Sequence, residues 1–187
     1  MNNLIYHIKN LDCRYNSYSP PVLKIEELNL YEGEVVFFVG ASGVGKSTLL
    51  ETLGLMNNTI DFTPGGDFWF ESKLGRKDLR EIWKTSEKEL AIFRQEHLSF
   101  IFQSTNLFPN LSAFQNVLLT QIVEGKSYEE AKANAKAMIY RLFPNDRDRQ
   151  EIIIEGKGIA ELSGGQRQRL AFVRAAISQY SILLADE

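Results

Sequence analysis

The sequence predicts an α/β fold: a core sheet of parallel or mixed strands, an antiparallel β region at the N-terminus and an inserted helical subdomain. Three observations carry that prediction. Val35–Val39 is a short β-favouring run fit for a strand buried on both faces, and it leads directly into a glycine-rich loop and a helix-forming stretch. Leu98–Phe102 and Ile182–Ala185 are two further short apolar runs. Between them, from about residue 104 to 160, the pattern changes to helical spacing and polar turns, which marks the helical subdomain.

With 187 residues and a hydrophobic fraction of 44%, the chain suits one domain, 1–187, with a small subdomain inside it. Net charge is −3, and arginines and aromatics form no interleaved basic patch, so no nucleic-acid partner is expected. The single cysteine, Cys13, excludes an internal disulfide and suits a reducing cytoplasm; it is expected to be a small buried hydrophobe. No stretch approaches the roughly 18 consecutive apolar residues of a membrane span, and Met1–Leu4 lacks the regions of a signal peptide. A soluble chain is expected, reaching any membrane through a partner.

The elements follow in order. Leu4–Ile8 reads as a strand, and residues 15–21 as a turn-rich stretch. After Val35–Val39 and the glycine loop, Ser47–Leu55 reads as a helix, which completes strand, loop and helix. Residues 57–75 contain Pro64-Gly65-Gly66 and alternating aromatics, a hairpin or an irregular region. Ser86-Glu87-Lys88-Glu89 is a capping box that opens a helix with Leu90 and Phe93 on one face, followed by the strand Leu98–Phe102 and Gln103. Tyr128–Phe143 places Ala131, Ala135, Met138, Ile139 and Leu142 at helical spacing.

Three motifs carry chemistry. Gly40-Ala41-Ser42-Gly43-Val44-Gly45-Lys46-Ser47-Thr48 matches the phosphate-loop pattern in full. Its glycines let successive N–H groups turn inward, and the following helix adds its positive end. Lys46 supplies a cation for β- and γ-phosphates, and the Ser47 hydroxyl a ligand for Mg²⁺. The bland reading is a glycine turn that happens to hold a lysine; the strand before and helix after argue against it. Second, Asp186 ends an apolar strand, where the magnesium-holding carboxylate of a phosphate-loop ATPase belongs. Glu187 follows it, and alternation along an extended chain sends the two carboxylates apart. Third, Leu162-Ser163-Gly164-Gly165-Gln166 opens a helix with a capping box, yet puts two glycines in its first turn. An ordinary capped helix with Leu170, Val173 and Ile177 facing a core explains the helix but not the glycines. Bare N–H groups at an exposed helix start make a second anion site.

Phosphate loop, Leu162–Arg169 and the Asp-Glu strand, in that order, resemble the ATPase subunit of ABC transporters, a phosphate-loop NTPase fold. The resemblance implies ATP and Mg²⁺ as cofactors and a head-to-tail homodimer holding ATP between the phosphate loop of one copy and the signature of the other. ATP would contact Gly40, Ser42, Gly43, Gly45, Lys46, Ser47 and Thr48 on one copy, and Ser163, Gly164, Gly165 and Gln166 on its partner. Adenine would stack on Tyr15, with Tyr18 close behind because the turn at residues 17–21 leaves the alignment open. Glu187, Gln103 and Lys46 would be catalytic, and Ser47, Gln103 and Asp186 would hold the metal. A transmembrane permease subunit is the implied partner, with the chain cytoplasmic and peripheral on the inner face of the membrane. The stretch from Ser86 to Ser112 is similar to the branch of lipoprotein-releasing, macrolide-export and cell-division ATPases.

The chain departs from the family after Glu187. The interface loop, the last strands of the sheet (which in such folds lie beside the phosphate-loop strand) and the switch histidine have no counterpart, since His7 and His97 both precede the signature. The domain is therefore expected to be incomplete at its C-terminus and this form inactive in hydrolysis. The alternatives are a nucleotide-binding remnant and a soluble, non-transport ABC ATPase. The insertion is far too short for the coiled coil of repair members, and only one cassette is present where translation members have two.

Overall fold

The structure is a computed structural model that describes residues 3–186 apart from 17, 61–65, 74, 145, 146 and 155. It divides into two compact units, Met1–Glu96 and His97–Glu187.

The first unit is built on four antiparallel strands in the order β2-β1-β3-β4: β1 (Leu4–Cys13), β2 (Leu23–Tyr31), β3 (Asp67–Ser72) and β4 (Gly75–Asp78). The expected N-terminal antiparallel region is thus present, and residues 67–78 form its hairpin; Pro64 and Gly65 lie outside the described residues. In β1, Tyr6 and Ile8 are buried on one side of Asn10, and Leu11 and Cys13 on the other, so the inward parity changes. Asn10 sits at φ 49°, a left-handed conformation that asparagine tolerates. The backbone there is tightly covered: a Cβ on Gly66 would lie 2.7 Å from the Asn10 carbonyl oxygen.

The core of this unit is aromatic. Tyr6 meets Phe68 and Phe70 edge-to-face at 5.4 and 5.6 Å, and Phe70 meets Phe93 at 5.2 Å. Phe93 and Leu90 are the buried face of α2 (Glu87–His97), whose start carries both bonds of the Ser86–Glu89 capping box. The Tyr6 hydroxyl donates to the Leu53 carbonyl at 2.9 Å and so ties β1 to the end of α1 (Lys46–Leu53). Cys13 is fully buried, as expected.

One expected strand is absent. Val35–Val39 is not paired with any described strand, and Val35, Phe37 and Val39 are 79%, 83% and 93% exposed rather than buried on both faces. β-propensity fits a residue to a pleated, half-buried surface, but a strand exists only as one of a pair. No described strand lies beside this run.

The second unit joins a parallel pair, β5 (Leu98–Ile101) and β6 (Ile182–Ala185), to four helices: α3 (Ala113–Val123), α4 (Tyr128–Leu142), α5 (Arg147–Ile154) and α6 (Gly164–Ala176). Its hydrophobic cluster takes Val117 and Leu118 from α3, Ala131, Ala135 and Ile139 from α4, and Leu170 and Val173 from α6. The alanines at i and i+4 on α4 let the helices approach closely. Buried polar bonds fix the end of α6. Ser99 Oγ donates to the Ala175 carbonyl at 2.9 Å, and Gln121, 1% exposed, donates to the Ile177 carbonyl at 3.0 Å while accepting from Asn134.

Candidate functional site

The phosphate-loop half belongs to the first unit. Gly43 and Gly45 adopt φ of 80° and 100°, so the inward curl is open to glycine and strained for other residues. α1 begins directly after Gly45 with no side chain capping it, which leaves its first N–H groups for an anion. Lys46 folds back along the loop: its Nζ donates to the carbonyls of Gly40 at 2.8 Å and Ala41 at 2.9 Å. Ser42 and Ser47 are exposed and Thr48 is half-buried. The Thr48 hydroxyl lies 3.1 Å from the Tyr15 hydroxyl, so Tyr15, 61% exposed, stands beside the first turn of α1. Tyr18 is fully exposed, with its backbone N–H donating to Asn16.

In the second unit the parallel pairing carries Gln103 and Asp186 out of the same end of β5 and β6. Ile101 lies opposite Ala185, and the Asp186 N–H donates to the Ile101 carbonyl at 2.9 Å. The carboxyl ends of parallel strands are where ligands bind in open α/β sheets. Gln103 is exposed and Asp186 half-buried; Glu187 lies outside the described residues. Ser47, Gln103 and Asp186 offer hard oxygen donors, the type Mg²⁺ takes. Among the described residues no three His, Cys, Asp or Glu side chains gather into a metal cage.

The expected second anion site falls at the start of α6. Ser163 Oγ accepts from the Gln166 N–H at 3.3 Å, and Gln166 Oε1 accepts from the Ser163 N–H at 2.7 Å. Gly164 and Gly165 are exposed, and a Cβ on either would meet nothing within 4 Å. Packing therefore does not demand glycine here. The residues leave an open helix end with bare backbone, while Leu170 and Val173 anchor the same helix in the core.

Sequence reasoning passed over two side chains that shape this half. Asn116 is fully buried on α3; it accepts from the Phe108 N–H at 2.7 Å and donates to the carbonyls of Phe108, Leu111 and Ser112. Arg174 on α6 donates to the carbonyls of Thr105 at 3.0 Å and Asn106 at 2.7 Å. Burial draws its pKa down, yet a guanidinium stays charged at neutral pH. An amide inside the apolar stripe of α3 was the available signal for Asn116; Arg174, in an ordinary basic last turn, gave none.

The chain is similar to known proteins. The family model described as ABC transporter matches residues 23–187. The lipoprotein-releasing system ATP-binding protein LolD of Porphyromonas gingivalis is 34% identical over 184 residues, covering 98% of this chain and 75% of that protein. The macrolide export ATP-binding/permease protein MacB of Pasteurella multocida is 34% identical over 189 residues, covering all of this chain but 26% of that protein. Among solved structures, the dimeric bacterial ABC transporter cassette MJ0796 superposes with a TM-score of 0.77 at 29% identity, over 98% of this chain and 74% of that one. The same cassette has also been solved as a dimer in a post-hydrolysis state bound to ADP and Pi. Two glycine-opened helix ends, a carboxylate at the end of a parallel strand and these likenesses lead to one conclusion: the chain belongs to the ABC transporter family.

Proposed function

We propose that the chain is the ATP-binding subunit of an ABC transporter of the export or lipoprotein-release type, working as a head-to-tail homodimer on a transmembrane permease at the inner face of the membrane. The observation that carries this reading is the pair of uncapped or glycine-opened helix ends, α1 and α6, in one chain. One grips the triphosphate of its own ATP, and the other closes on the γ-phosphate held by the opposite copy.

In this reading Lys46 leaves the Gly40 and Ala41 carbonyls for the β- and γ-phosphates. Gly40, Ser42, Gly43, Gly45 and Thr48 line the phosphates, and Tyr15 receives the adenine. The contact of Tyr15 with Thr48 supports it over Tyr18. Ser47, Gln103 and Asp186 would hold Mg²⁺, which when bound neutralises charge developing on the phosphoryl oxygens. Ser163, Gly164, Gly165 and Gln166 donate to the opposite copy's γ-phosphate. Glu187 polarises the attacking water. Such catalysis is chiefly positioning and charge neutralisation. Among the described residues no helix is long and apolar enough to cross a membrane.

MgATP binding measured on the wild type and on Lys46→Ala tests the reading, with hydrolysis followed in parallel on Glu187→Gln. Wild-type binding should fall by on the order of a hundredfold or more without the lysine, whose phosphate bonds are charge-assisted. The 187-residue form should bind MgATP with negligible turnover; in a longer form that hydrolyses ATP, Glu187→Gln should keep binding and lose turnover. ATP affinity indifferent to Lys46 would sink the proposal.

A further inference from the structure

We propose that Arg174 is a positioning residue for Gln103, fixing the backbone that follows Gln103 to the helix whose N-terminus is the second anion site. Its two guanidinium bonds run to consecutive carbonyls, those of Thr105 and Asn106. A planar fork that grips two adjacent peptide units fixes the orientation of the segment as well as its distance. Arg174 is half-buried, and among the described residues no carboxylate pairs with it. Withdrawing the segment would leave a partly desolvated charge without acceptors, which is costly. The segment is shaped to fit this grip. Asn106 adopts a left-handed φ of 46°, and its side-chain oxygen accepts from the Ser104 hydroxyl at 2.9 Å. Asn116 holds the following turn separately through Phe108 and Leu111. Residues 104–112 therefore hang between two polar anchors, one on α3 and one on α6.

The two anchors differ in consequence. α3 starts in the core at Ala113, whereas α6 starts at the exposed Gly164-Gly165 pair. Its other end is held to β5 by Ser99 and to α3 by Gln121. A ligand that engages Ser163–Gln166 thus pulls on a helix whose last turn holds the segment beside Gln103. The functional half of this inference rests on the ATPase reading; the mechanical half stands on the bonds alone.

Hydrogen exchange of the full chain, wild type against Arg174→Met and Arg174→Lys, tests it with and without MgATP. Arg174→Met keeps an apolar stem but no donor; Arg174→Lys keeps one donor without the fork. In the methionine variant, amides of residues 103–108 should exchange about tenfold faster or more, while those of α6 and β5 stay unchanged. The lysine variant should recover part of the protection. With MgATP, peptides of residues 40–50 should be protected alike in all three forms, and only the donor-bearing forms should transmit a change to 103–108. Unchanged exchange at 103–108, or loosening spread evenly over α6 and β5, overturns the anchor. Absence of protection at 40–50 in the wild type would instead refute ATP binding, and the ligand-free comparison would still decide the role of Arg174.

Discussion

At Tyr6 and Cys13 the first unit stores protons that the unfolded chain releases at alkaline pH. Burial raises the Tyr6 phenol above its ordinary 10.0 and the Cys13 thiol above its ordinary 9.0. Both are neutral when protonated, and the folded state binds these protons more tightly. Their contribution to stability is therefore complete below pH 9 and is lost as pH rises past the unfolded values, first at Cys13 and then at Tyr6. Urea unfolding from pH 7 to 11 should show stability falling above about pH 9. Tyr6→Phe should flatten the steep part above pH 10, and should itself cost about 1 kcal/mol by leaving the Leu53 carbonyl without its donor. An unchanged alkaline slope in that variant would show that other groups carry it. Part of this was legible in the sequence: Cys13 was expected inside, and Leu4–Ile8 was expected to form a strand. The parity change at Asn10 was not, because a single left-handed residue leaves no periodic signal.

At the scale of the element, α3 and α6 form a matched pair. Each begins at a serine with a full capping box, Ser112–Gln115 and Ser163–Gln166. α3 then enters the core with Ala113 and Phe114, whereas α6 opens on two exposed glycines. Removing the hydroxyl from either cap should cost about 1 kcal/mol of unfolding free energy. If the α6 end contacts the γ-phosphate, Ser163→Ala made in a longer form that hydrolyses ATP should also impair hydrolysis at saturating ATP, while Ser112→Ala should not. Equal effects of the two on hydrolysis would reduce Ser163 to a cap. The helix starts at Ser86 and Ser163 could be read directly, because a capping box is a local, four-residue device. The one at Ser112 carries the same signature, though only its neighbourhood drew notice. The clamps of Asn116 and Arg174 escaped because each joins segments eight and about seventy residues apart.

Taken as a whole, the chain carries one run at odds with its surroundings. Val35–Val39 is apolar and largely exposed, with no backbone partner among the described residues. Such a run is a template for pairing with another chain. The protein should associate increasingly with concentration, and Phe37→Lys, which introduces charge at an 83% exposed position, should suppress that association in light scattering. Association indifferent to this charge would place the contact elsewhere. Its composition alone indicated a strand, and the loop and helix that follow it were read correctly. Pairing is a property of two segments, and one segment's residues do not reveal whether the other is at hand.

The Lys46 bonds to Gly40 and Ala41 have a further consequence, for selectivity. The loop already holds an internal competitor: two of its own carbonyls occupy the ammonium that an incoming ligand needs. Only a ligand with enough negative oxygen to outbid them releases the lysine. Adenosine, which brings a base but no phosphate, leaves that competitor in place and gains nothing from the loop, so nucleosides should be discriminated against even where the adenine contact is good.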